Sequence, residues 1–107
     1  MEKTLTIDGK QITFKSTGAT PLRYKQQFGK DFFAEIAKMS RGSSKKFALE
    51  NLDMEAFYNI AWVFAKTADK TIPEPLEWLD TFETFPILDI IPDLQDILLG
   101  TMQTKKK

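Results

Sequence analysis

Residues 3–15 read KTLTIDGKQITFK, and this stretch predicts a β-hairpin against which the rest of the chain must pack. Asp8-Gly9 is a dipeptide that tolerates the positive φ angles of a tight type I′ turn. Pairing outward from that turn gives three opposed pairs: Ile7 with Lys10, Leu5 with Ile12, and Lys3 with Phe14. The apolar members share one face of the hairpin and the threonines take the other. Because an isolated hairpin is marginally stable in water, we expect the apolar face to rest on helices.

Two short helical segments follow the hairpin. Thr20-Pro21 is typical of a helix start, with the threonine hydroxyl as N-cap and proline at the first helical position, and Gly29 is a natural stop. Asp31 is then placed to cap a second helix, with Phe32, Phe33, Ile36 and Ala37 on one side. The polar residues 40–46 predict a loop.

The strongest helical pattern lies at residues 54–69, after the possible cap Asp53, with apolar side chains at i, i+3, i+4, i+7, i+8 and i+11. A further helix is expected at 75–84, with Leu76, Leu79 and Phe82 on its apolar face. The last helical region spans about 86–99. Pro92 lies inside it, so we expect either a kink or two short helices, and Gly100 is expected to end it.

These patterns predict an α+β, mainly α fold, with an N-terminal hairpin packed on a bundle of about four to five helices. One domain is expected over residues 1–100, with the hairpin at 3–15 and the helices within 20–99. Residues 101–107 are expected to form a disordered tail.

The composition argues against catalysis. The 107 residues include no cysteine and no histidine. Thiolate metal sites and cysteine nucleophiles are therefore excluded, and the commonest general base is missing. We expect no enzyme activity, no cofactor and no metal centre.

The N-terminal residues lack the apolar run of a secretory signal, and prolines and aspartates interrupt the most apolar stretch, at 85–99. The sequence therefore predicts a cytoplasmic protein without a membrane span.

Charge is unevenly distributed along the chain. Residues 1–70 carry twelve basic and eight acidic side chains, a net +4, whereas residues 71–104 carry seven acids and no base, and Lys105–Lys107 add +3. An acidic second half disfavours binding to a phosphate backbone, so no nucleic-acid partner is expected.

The basic side chains of Lys38, Arg41, Lys45 and Lys46 can be read as a phosphate contact or as a solvated loop. Similarly, Asp89, Asp93 and Asp96 can be read as cation ligands or as the wet side of a helix.

Candidate partner-binding residues are the two tryptophans and the apolar side chains of the last helix. Trp62 and Trp78 fall off the main apolar stripes of their helices, and exposed tryptophan is enriched at interfaces. The last helix has more apolar side chains than one packing face uses. We therefore predict partner contacts at Trp62, Trp78, Ile90, Leu94, Ile97, Leu98, Leu99 and Met102. The alternatives are core tryptophans and a helix buried on two sides.

Several stretches resemble the tail assembly chaperones of siphophages and prophages of Gram-positive bacteria. In order along the chain they are LTIDGK (5–10), FK (14–15), TPLRY (20–24), FGKD (28–31) and FPILDIIPDL (85–94), followed by Leu98-Leu99, Met102 and a threonine-lysine tail. The resemblance covers nearly the whole chain. Its motifs are structural and include no catalytic signature.

The resemblance implies a protein made in the infected cell that binds the tape measure protein, helps recruit tail tube subunits around it, and is absent from the finished particle. It also implies a longer form made by ribosomal frameshifting, for which the codons of Lys105–Lys107 can supply a slippery adenine run. Self-association into a homo-oligomer stays open. The alternative functions are a structural tail or head-joining component and a small DNA-binding regulator.

Overall fold

A computed structural model describes residues 2–40 and 54–102 of the chain. The described part contains two strands followed by five helices: β1 (Glu2–Ile7), β2 (Lys10–Lys15), α1 (Thr20–Phe28), α2 (Phe32–Ser40), α3 (Met54–Ala68), α4 (Pro75–Leu79) and α5 (Ile87–Met102). The expected α+β, mainly α fold is confirmed. The buried apolar side chains of the hairpin and the helices form one contiguous core.

The hairpin has the predicted register. β1 and β2 are antiparallel, with Leu5 opposite Ile12 and Ile7 opposite Lys10, and one further pair at Glu2 and Lys15. Asp8 and Gly9 have φ angles of 55° and 76°, as a type I′ turn requires. Among the apolar-face side chains, Ile7 and Phe14 are fully buried, whereas Leu5 and Ile12 pack at the margin of the core.

Polar contacts fasten the turn of the hairpin to the segment that follows α4. The Nζ of Lys10 donates to the carbonyl oxygen of Thr81 at 2.6 Å and lies 4.9 Å from the ring centroid of Phe82. The backbone N–H of Glu83 donates to Oδ2 of Asp8 at 3.0 Å. The hairpin is thus held at its tip as well as along its apolar face.

The start of α1 differs from the prediction. Thr20 is the first helical residue and Ala19 is the N-cap. The hydroxyl of Thr20 therefore does not cap the helix, and Pro21 is the second helical residue and not the first. Instead the Oγ1 of Thr20 accepts a hydrogen bond from the N–H of Thr17 at 2.9 Å and closes the turn before the helix. The predicted stop is confirmed, because Gly29 has a φ of 73° and its N–H bonds to the carbonyl of Lys25.

The predicted cap of α2 is confirmed, since Oδ2 of Asp31 accepts the N–H of Ala34 at 2.9 Å. The predicted apolar side of this helix is only partly correct. Phe32 is buried, but Phe33 is 44% exposed. Glu35 is buried instead, and its Oε1 lies 3.4 Å from the hydroxyl of the buried Tyr24.

Helix α3 forms the centre of the core, and its bounds agree with the prediction to within one residue. It contacts β2, α1, α4 and α5. Burial over most of its circumference agrees with an apolar pattern wider than a single stripe, while Glu55 stays exposed. The buried side chains are Ala56, Phe57, Ile60, Ala61, Trp62, Val63, Phe64, Ala65 and Thr67. Asp53, the proposed cap, lies outside the described residues.

Helix α4 is shorter than predicted and buries a different side. It ends at Leu79 rather than at residue 84, because the chain turns there through N–H bonds of Thr81 and Phe82 to carbonyls three residues earlier. Leu76 is 76% exposed and Trp78 is buried. The predicted apolar face at Leu76 is therefore wrong.

Helix α5 is one uninterrupted element through Pro92 and Gly100. Of the two expected alternatives, two short helices meeting at Pro92 are therefore wrong. The kink stays a prediction, because an interior proline removes one i→i−4 bond and its ring crowds the carbonyl four residues earlier. The predicted helix end at Gly100 is also wrong, because the helix includes Thr101 and Met102. The predicted disordered tail includes these two residues and is wrong for them. Residues 103–107 lie outside the described part.

Candidate partner-binding surface

Trp62 is a core residue. Its side chain is 2% exposed, and its indole N–H donates to the carbonyl oxygen of Pro73 at 2.9 Å. The ring meets Phe28 edge-on, with centroids 5.8 Å apart. The bond to Pro73 joins the middle of α3 to the segment before α4, so the tryptophan organises the fold and is not on the free surface.

Trp78 is also buried, at 4% exposure. It forms an aromatic cluster with Phe82 and Phe85, at centroid distances of 5.2 Å and 5.5 Å, and Tyr58 of α3 adds a contact to Phe85 at 6.0 Å. This cluster holds the turn after α4 against α3. Both tryptophans are buried in the folded chain.

The apolar side chains of α5 divide into a buried set and an exposed set. The buried set contains Ile87, Ile90, Ile91, Leu94, Ile97 and Leu98, and the exposed set contains Leu88 and Leu99. For Ile90, Leu94, Ile97 and Leu98 the alternative of a buried helix therefore holds, because β1 and α3 both contact α5. Leu99 remains a candidate contact. The side chain of Met102 lies outside the described part.

Burial thus places six of the eight predicted contacts in the core: Trp62, Trp78, Ile90, Leu94, Ile97 and Leu98. Sequence periodicity did not single out the side chains that the fold leaves exposed. These are Leu22 of α1, Phe33 of α2, Leu76 of α4 and Leu88 of α5. For Leu88 a signal existed, since it lies off the stripe that runs through Ile87, Ile91 and Leu94.

The outward side of α5 carries a continuous strip. Leu88, Pro92, Gln95 and Leu99 lie at i, i+4, i+7 and i+11, which places them on one line along a helix. Leu88 and Leu99 are 55% and 64% exposed, Pro92 is exposed, and Gln95 is half-buried. We call these four residues the outer strip. At 1.5 Å per residue it is about 16 Å long.

The outer strip is bordered on one side by acidic side chains and on the other by the buried face of α5. The acidic border consists of Asp89, Asp93 and Asp96, and we call it the acidic flank. The Nζ of Lys3 from β1 bonds to Asp96 at 2.9 Å and to Asp93 at 3.2 Å. These hydrogen bonds, to Asp96 first and then to Asp93, raise the pKa of Lys3 above its ordinary value of 10.5.

The pairing with Lys3 favours the reading of the three aspartates as a solvated helix face. Within residues 2–40 and 54–102, there is no group of three or more acidic side chains with the geometry of a metal site. The alternative reading of a basic phosphate contact at Lys38, Arg41, Lys45 and Lys46 lies outside the described side chains.

A cleft of about 310 Å³ opens between β2, the end of α3 and α4. It is lined by Gln11, Ile12, Thr13, Ala65, Ala68, Asp69, Ile72 and Trp78. Asp69 is the acid in this lining, and its Oδ1 accepts the hydroxyl and the N–H of Thr71, at 2.6 Å and 3.0 Å. These bonds lower the pKa of Asp69. The carboxylate therefore closes the turn after α3, which is a structural role.

None of the helices in the described part is both long enough and apolar enough to cross a membrane. Comparison of the chain with protein-family models gave no match. Comparisons with curated proteins and with solved structures gave no match either.

Proposed function

We propose that the chain is a phage tail assembly chaperone that works in the host bacterial cytoplasm. It binds the tape measure protein, helps recruit tail tube subunits during tail morphogenesis, and is absent from the mature virion. The proposal is supported by the resemblance of residues 5–31 and 85–102 to that family. The observation that carries it is the outer strip, where Leu88 and Leu99 stay exposed on a helix whose inner face is fully packed.

The strip has the features that a reversible protein contact needs. Burying a leucine side chain is worth roughly 1.5–3 kcal/mol. Leu88 and Leu99 are 55% and 64% exposed, so covering both contributes roughly 2–3.5 kcal/mol in total. This contribution is modest, and it suits a client that must later be handed to tube subunits. A long helical client presents apolar stripes of the same period, which can pack against α5 as helix on helix.

The direct test is co-expression with the tape measure protein encoded by the same phage or prophage. A complex that co-elutes on size-exclusion chromatography is the expected result. The double variant Leu88→Ser/Leu99→Ser should elute free, whereas Leu22→Ser/Leu76→Ser should still co-elute, because those leucines lie on other helices. Absence of any complex with the wild-type chain would overturn the proposal.

Mass spectrometry of purified virions separates this function from a structural role. We expect the chain to be missing from particles that contain stoichiometric tube protein. Abundant copies in mature particles would assign it instead to the tail or to the head–tail joint.

A further inference from the structure

The acidic flank of the outer strip identifies the kind of partner that fits it. The flank contributes three negative charges, from Asp89, Asp93 and Asp96, and Lys3 returns one positive charge, so the local sum is −2. Among the described residues, the ion pairs of this flank are the two made by Lys3, and α5 itself has no basic side chain. The surface is thus a line of three apolar side chains, interrupted by the half-buried Gln95, with a negative border.

A second copy of the same face is a poor occupant. In a two-fold symmetric contact the strip of one copy would meet the strip of the other. In an antiparallel pair of α5 helices, two flanks of −2 then lie side by side, and like charges across an interface oppose association. In a parallel pair, each flank faces the opposite side of the other α5, which has no basic side chain to pair with it. A partner with a positive border avoids this repulsion, and its basic groups reach the carboxylates on flexible stems while the apolar groups cover Leu88 and Leu99.

We propose that the outer strip and its acidic flank bind a cationic amphipathic helix of the partner protein. Its apolar side chains would follow the spacing i, i+4, i+7 and i+11, with lysines or arginines beside them. The inference rests on the proposed function and adds the surface used and the chemistry of the client segment. Charge complementarity selects the client helix, and the apolar line sets its register along α5.

Three synthetic peptides of about 20 residues, long enough to cover the strip as a helix, test the proposal. The first has leucines at the stated spacing and lysines on one flank. The second has glutamates in place of the lysines. The third has the composition of the first in an order that is not amphipathic. By titration calorimetry we expect the first peptide to bind at least about tenfold more tightly than either of the others.

Variants of the chain locate the binding site of the first peptide. Leu88→Ser/Leu99→Ser should weaken its binding about tenfold or more, and Leu22→Ser/Leu76→Ser, which removes equally exposed leucines, should leave it unchanged. Asp89→Asn should weaken binding and reduce its dependence on salt. Glu77→Gln, an exposed acid on α4, is the matched control and should change neither.

The proposal is overturned if the wild-type chain does not bind the first peptide, if the glutamate peptide binds as tightly, or if the two leucine pairs behave alike. Its failure is distinguishable from failure of the proposed function. A chain that forms the tape measure complex equally well with and without Leu88 and Leu99 is a chaperone that uses another surface. A chain that binds the cationic peptide but not the tape measure protein has this surface and a different client.

Discussion

Leucine-to-alanine substitutions at two positions of α5 test the division between core and surface most directly. Leu94 and Leu99 lie five residues apart in the same helix, and the sequence pattern alone assigns both to partner contact. The structure separates them, because Leu94 is 0% exposed and Leu99 is 64% exposed. The same chemical change should therefore have different consequences at the two positions.

For Leu94→Ala we expect the free energy of unfolding to fall by about 3 kcal/mol, since fully buried Leu→Ala changes cost about 2–5 kcal/mol. The lost transfer free energy and the cavity left beneath α5 both contribute. For Leu99→Ala we expect a change within about 0.5 kcal/mol, as for other exposed sites. In a domain of this size a loss of about 3 kcal/mol lowers the melting temperature by roughly 12–24 °C.

Guanidinium denaturation followed by tryptophan fluorescence is the suitable assay. Trp62 and Trp78 are the two tryptophans of the chain and both are buried, so their emission reports the global transition. Equal denaturant slopes for the three proteins would license a comparison of midpoints. A loss below about 1 kcal/mol for Leu94→Ala, or above about 1.5 kcal/mol for Leu99→Ala, would refute the assignment of the inner and outer faces.

Three further substitutions probe other parts of the fold. Gly9→Ala should lower the free energy of unfolding by about 1 kcal/mol in denaturant titrations, because a φ of 76° is strained for any residue with a side chain. An unchanged denaturation midpoint would contradict the type I′ turn. Trp62→Phe should lower the free energy of unfolding by about 1–3 kcal/mol through loss of the hydrogen bond to the Pro73 carbonyl. Assayed well below its melting temperature, the folded variant should keep full affinity for the tape measure protein. Reduced affinity would show that Trp62 takes part in the interface. Lys3 has its pKa raised by Asp96 and Asp93, so its contribution to stability is complete below 10.5 and declines as the pH rises through the higher folded pKa. The difference in stability between wild type and Lys3→Met should accordingly shrink at strongly alkaline pH, and a constant difference would show that the ion pair is not its source.

Local chemistry made the hairpin predictable down to its register. The turn dipeptide fixes which residues are opposed, and alternation then fixes which face is apolar. The end of α1 at Gly29 and the cap of α2 at Asp31 were predictable for the same reason, because the backbone preference of glycine and the side-chain preference of aspartate act within a few residues. The long helix α3 was equally predictable, because its apolar residues keep helical spacing over fifteen residues and fit no other period as well.

Segments whose conformation depends on distant contacts were not predictable in the same way. Helix α4 ends at Leu79, and Trp78, Phe82 and Phe85 form an aromatic cluster that contacts Tyr58 of α3. The spacing of the apolar residues in 75–84 does not predict that cluster. Gly100 looks like a stop in the sequence, but α5 continues past it.

For the proposed binding surface, the order of the amino acids establishes that α5 is apolar over much of its circumference and that its charged side is acidic. Helical periodicity fixes the angles between side chains, so Leu94 and Leu99 had to point in different directions. Periodicity does not fix which arc of the helix the neighbouring elements cover. That choice follows from the packing of the folded chain, in which β1 and α3 bury the arc containing Leu94 and leave the arc containing Leu88 and Leu99 in contact with water.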